Sequence, residues 1–187
     1  MAEDHIEDQF EATSDPAATD PNTDFPLEGC DIFKVSESEL AAIADTAPSL
    51  HTLCGARVAR ISRNLVIKKS PLTLPSEAEA MKLVAQKTSI YLPRVYRSFL
   101  VYGTGGIYDS TGYIVMSYVD GVCLSQCWEK LLPDERENII GQVAEIIWQL
   151  QYLHIPLPGP IGGGPSNRRW FSAYGSGPFT SVSDFED

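Results

Sequence analysis

GYIVMSYVDGVCLSQCW, residues 112 to 128, decides how the rest of the chain is read. Tyr113 to Val119 is a bulky, β-prone run that breaks at Asp120-Gly121, and the spacing after the break is helical. A buried strand therefore stops abruptly and hands the chain to a helix.

Upstream, Arg57–Ile61 and Asn64–Lys68 are short β-branched runs around Ser62-Arg63, the pattern of a hairpin. SEAEAMKLVAQK (76 to 87) has helical spacing after Pro75, with Ser76 expected as its N-cap. LPRVYRSFLVY (92 to 102) and GYIVMSYV (112 to 119) predict a second strand pair across the glycine-rich GTGG at 103 to 106. SESELAAIADTA (36 to 47) predicts a short amphipathic helix ahead of these elements. Downstream, LSQCWEKLL predicts a short helix and residues 133 to 154 a long one, with Pro133 in its first turn and acids at 134, 135 and 137 facing the positive end of the dipole. From 155 onward Gly, Pro and Ser dominate, predicting extended chain anchored by Trp170, Phe171 and Tyr174.

The charge of −11 is uneven: residues 1 to 31 hold ten acids and no Lys or Arg, which leaves about −1 for the remainder. The remainder therefore carries no basic surface of the kind that binds nucleic acid. The acidic segment, poor in large apolar residues before Phe25, is expected to be disordered over residues 1–26. There is no basic n-region with an apolar h-region and no run of 18 apolar residues, so a cytoplasmic (cytosolic or nuclear) protein without a membrane partner is expected. Cys30, Cys54, Cys123 and Cys127 fit reduced thiols; Cys123 and Cys127 lack the second ligand pair of a metal site.

Two strands, a helix, two strands and then helices is the order of the small lobe of a kinase-type fold joined to the start of its large lobe. From about residue 55 the chain resembles the aminoglycoside phosphotransferase family of small-molecule kinases, fungal members in particular. The likeness is carried by RISRNLVIKK, SEAEAMKLVAQKTSIYLPRVY, GYIVMSYVDGVCLSQCW and the late GPIGGGP and GPF elements. It implies an α+β, protein-kinase-like fold: a small antiparallel-sheet N-lobe over residues 27–119, then the hinge and first helices of an incomplete helical C-lobe over 120–187. The implied activity is ATP-dependent phosphorylation of a hydroxyl on a small molecule. The alternative is a degenerate kinase-like module that binds nucleotide or a protein partner.

Strand alternation places Val66 and Lys68 on one face and Leu65, Ile67 and Lys69 on the other. An aliphatic side chain under the adenine and an ammonium near the phosphates would then be Val66 and Lys68, and the resemblance likewise matches Lys68 to the phosphate-contacting lysine. Two lysines ending an edge strand are the plainer reading. Glu79 is expected to pair with Lys68, Glu77 facing elsewhere; the competing role for Glu79 is a capping box with Ser76. Met116 would line the back of the adenine pocket, while Ser117, Tyr118 and Val119 would supply hinge backbone.

GTGG and GGG (162 to 164) lack the setting of phosphate loops, and Asp184-Phe185-Glu186 lacks the glycine and catalytic loop of a kinase metal motif. His5, His51 and His154 have no catalytic surroundings by sequence, His51 being expected to precede the first strand. The HGDxxxxN pattern that would hold magnesium and orient an acceptor is absent, so no catalytic residue is assigned, and the resemblance would place that loop beyond residue 187. Magnesium is expected only with that missing loop. In the long helix, Ile139, Ile140, Val143, Ala144, Ile146, Ile147, Trp148, Leu150 and Leu153 cover an arc of about 200°. Only Gln142, Glu145 and Gln149 form a polar strip, so a protein partner or further chain is expected over residues 139–153.

Overall fold

The computed structural model describes residues 11–12, 15, 22–53, 55–103, 109–155, 157–164, 166 and 176–186. The elements, in chain order, are β1 (Glu11–Ala12), α1 (Glu37–Thr46), β2 (Ser49–Leu53), β3 (Ala56–Arg60), β4 (Leu65–Ser70), α2 (Pro75–Lys87), β5 (Val95–Tyr102), β6 (Ser110–Ser117), α3 (Leu124–Cys127), a 3₁₀ turn (Trp128–Lys130), α4 (Pro133–Gln151) and α5 (Val182–Glu186). The fold class is α+β. The sheet runs β1-β2-β3-β4-β6-β5, with every neighbour antiparallel.

Two compact units are present: residues 1–78 with 93–119, and residues 79–92 with 120–187. Residues 79–92 thus go with the later part of the chain, not with the strands that flank them in sequence.

In the first unit the core lies on the sheet face that α1 covers. Leu40 and Ala44 of α1 pack with Ala59, Ile67, Phe99, Tyr113 and Val115, and Leu65 joins at the margin. The Phe99 and Tyr113 rings stack at 4.9 Å. α1 begins where Ser36 Oγ accepts from Glu39 N at 3.2 Å, the capping geometry its sequence called for.

Several expectations are corrected here. The acidic segment is not wholly detached: Glu11–Ala12 pairs with Thr52 and His51, Asp15 bonds to the sheet, and Phe25 is buried. Burial of Phe25 and Leu27, with Leu27 N donating to Ile61 O at 2.9 Å, offsets the ordering that the polar composition argued against. A strand at Ser49–Leu53 was not read, and His51 lies within it rather than before the first strand. Ser76 sits inside the first turn of α2, which starts at Pro75, so it is not the N-cap. A short helix, α5, and a bridge between Ser166 and Ser176 break the stretch expected to be extended. Cys54, Trp170, Phe171, Tyr174 and His5 lie outside the described residues.

In the second unit, α4 begins with Pro133 in its first turn and Leu132 N donating to Glu135 Oε2 at 2.8 Å. Gln149 Oε1 accepts from both the backbone N and Oγ of Ser89, at 3.0 and 3.1 Å. Arg136 ties the 3₁₀ turn to α4, donating to Trp128 O and Glu129 O at 3.1 Å each. No described residue of α4 is buried, and Ile140, Val143, Ile147, Trp148 and Leu150 are all exposed. Among the described residues no helix is long and apolar enough to cross a membrane.

Candidate functional site

The sheet face away from α1 carries the site. In register, Val58 opposes Lys68 and Lys68 opposes Ile114; one row along, Arg60 opposes Val66 and Val66 opposes Met116. Residues directly opposite share a face, so Val58, Lys68, Ile114, Arg60, Val66 and Met116 form one surface. Lys69 turns the other way and pairs with Asp45 of α1.

α2 delivers a carboxylate to this face. Lys68 Nζ forms an ion pair with Glu77 Oε1, both side chains part-buried. This corrects the pairing expected from sequence: Glu79 is instead engaged by Lys82 at 2.7 Å, one turn along the helix. The error follows from the start of α2. With Pro75 already helical, the turn that Lys68 reaches is the first, where Glu77 sits. Gly112 makes this approach possible, because a Cβ there would lie 2.0 Å from Thr73 O, in the loop that feeds α2.

His51 was not anticipated. It opposes Val58, which opposes Lys68, so it lies on the same face, about 10 Å from Lys68 at two strand spacings. Burial, and secondarily the Lys68 charge, hold its pKa below the usual 6.5. The period-2 texture of Ser49–Leu53 was the available signal, but five residues with one polar interruption are too short to declare a strand.

The remaining expected contacts are placed as follows. Val66 is buried, with 4% of its surface exposed, and Met116 is half-buried beside it. Ser117 N donates to Arg94 O at 2.9 Å, and Ser117 Oγ accepts from Arg94 N at 2.9 Å. Tyr118 N donates to Asn64 O at 2.8 Å. These two N–H groups, expected to face a ligand, are therefore spent within the fold. Val119 is exposed and follows them directly.

Next to this surface Arg60 is 6% exposed. Its guanidinium carbon lies 3.6 Å from the Tyr118 ring centroid and 5.2 Å from that of Phe25. Its nitrogens donate to Ser62 O at 3.3 Å, to Arg63 O at 2.7 Å and to Asp15 Oδ2. Asp15 Oδ2 also accepts from Tyr118 Oη at 2.6 Å.

In the second unit an open depression is lined by Leu124, Ser125, Trp128 and Glu129, none of them a site residue. Gly162, Gly163 and Gly164 all have positive φ, Gly162 in a turn and Gly164 in a bend. Asp184 accepts from Thr180 N at 2.8 Å, a role in starting α5. Among the described residues no three His, Cys, Asp or Glu side chains converge as metal ligands. No family model, no curated protein and no solved structure matches this chain.

Proposed function

We propose that the first unit is a nucleotide-binding lobe of the kinase-like, aminoglycoside-phosphotransferase type, and that it takes the phosphates of ATP at Lys68. The observation that carries this reading is the Lys68–Glu77 ion pair, made on the face of an antiparallel sheet away from α1 by the helix inserted between strand pairs. A carboxylate fixed on a helix holds an ammonium that would otherwise wander, leaving its remaining N–H groups directed at an anion. Val66 and Met116 are the aliphatic surface for the base, one row from Lys68, about 7 Å along the strands. On this reading Val119, exposed just past β6, is the hinge residue whose backbone would meet the base edge.

The parent activity on this reading is transfer of a phosphoryl group from ATP to a hydroxyl of a small molecule, a reaction governed by positioning and charge stabilisation. A second reading, a kinase-like module that works by protein contact, draws on the exposed apolar side chains of α4.

Titration with a fluorescent ATP analogue tests the first reading. Lys68→Met should weaken binding about tenfold, the loss of one charge-assisted contact. Glu77→Gln should weaken it less, and Glu79→Gln should leave it unchanged. Failure of the wild-type chain to bind at millimolar analogue, or equal binding by Lys68→Met, overturns it.

A further inference from the structure

The base end of the proposed nucleotide surface adjoins two residues of the chain's own acidic segment, Asp15 and Phe25. Val66, which the base would have to touch, is nearly inaccessible. The residue opposite it, Arg60, carries both Phe25 and Asp15. Two donors from different parts of the chain, the Arg60 guanidinium at the end of β3 and the Tyr118 hydroxyl just past β6, converge on the single oxygen Asp15 Oδ2. Tyr118 immediately precedes the hinge residue Val119 and stacks on Arg60 at 3.6 Å. Asp15 is thus a carboxylate ligand seated in an arginine–tyrosine clamp 45 residues from Arg60 and 103 from Tyr118.

The geometry points to an anion-receiving site, Arg60 with Tyr118, that Asp15 fills in cis as a latch; while it is filled, Asp15 and Phe25 compete with nucleotide at the base end. A purely structural partner for a buried arginine would explain the ion pair. It would not require the carboxylate to come from the ten-acid segment, nor the same oxygen to engage the residue that leads into the hinge. The inference rests on the nucleotide reading above for what is excluded, but not for the latch itself. Because the binding-competent form is a fraction of the population, opening the latch raises apparent affinity by the inverse of that fraction.

The test uses the full chain with Asp15→Asn and, as a variant that leaves the Arg60 charge paired, Tyr118→Phe. Hydrogen exchange reads the amides of Glu11, Ala12, Phe25 and Leu27, and the fluorescent ATP analogue reads competition. Both variants should speed exchange, and Asp15→Asn should tighten analogue binding by about threefold or more. Unchanged exchange in both variants overturns the latch. Equal analogue affinity in wild type and Asp15→Asn overturns the competition alone. No binding by either form, with exchange still accelerated, removes the nucleotide reading and the competition with it, while leaving the contact of Asp15 established.

Discussion

At the scale of single residues, the chemistry of the face away from α1 is set by who can reach Lys68. His51 lies on the same row, and burial, with the Lys68 charge second, keeps it neutral to lower pH than a free imidazole. Above pH 6.5 the histidine is neutral folded and unfolded, so its contribution to stability is complete there. As pH falls below 6.5 the unfolded chain takes the proton first, and stability is lost until the pH has passed the folded pKa. His51→Gln should therefore flatten the acid side of the stability profile, measured by urea unfolding between about pH 7.5 and 5. Parallel profiles for the two proteins would show that His51 does not titrate in the way its surroundings require. Tyr113 is displaced in the opposite direction, its phenol held above the usual 10 by burial against the core.

At the scale of elements, the decisive junction is the one from β4 to α2. The loop passes over Gly112 of β6 with Thr73 O where a side chain would be, and this close crossing sets where α2 begins and hence which glutamate Lys68 meets. Gly112→Ala should cost about 1–3 kcal/mol, the range for forcing extra volume into a packed site. It should also weaken ATP-analogue binding, because α2 must shift to relieve the clash. The check is chemical denaturation alongside the titration, and a variant of unchanged stability would show that the crossing is not tight. α1 on the other face owes its place to a different cause, an apolar stripe ending in Leu40 and Ala44 that the sheet buries completely.

At the scale of the whole molecule, the two units contrast in how well they are covered. The first has a contiguous core of fully buried side chains, Leu40, Ile61, Ile67 and Val115 among them. The second presents α4 with Ile140, Ile147 and Trp148 each more than half exposed, while its polar strip is bonded to itself through Gln142 to Asn138 and Gln149 to Glu145. An apolar face of this kind binds environment-sensitive dyes. Replacing Ile140 and Ile147 together by Glu should lower dye fluorescence strongly while moving unfolding stability by about 0.5 kcal/mol or less per site, as for exposed positions. Undiminished dye binding would mean that α4 is covered in solution.

Residue order alone was enough to delimit the two strand pairs at 57–68 and 92–119, the helices starting near 36, 75 and 133, and the division of β4 into two faces. Each of these rests on local periodicity or a capping residue, which neighbouring residues encode by themselves. That Lys68 and not Lys69 shares a face with Val66 was legible for the same reason, since alternation within one strand determines it. What tertiary structure decided was everything that depends on contacts between distant segments: Glu77 rather than Glu79 against Lys68, His51 in a paired strand, and Asp15 in a clamp of Arg60 and Tyr118. Composition argued for a loose acidic segment because it counts apolar residues, and a single buried Phe25 and one well-seated carboxylate are invisible to such an average. Periodicity specifies faces, whereas the meeting of faces depends on where each helix starts and on which glycine lets a loop pass, and those are settled only when the whole sheet is assembled.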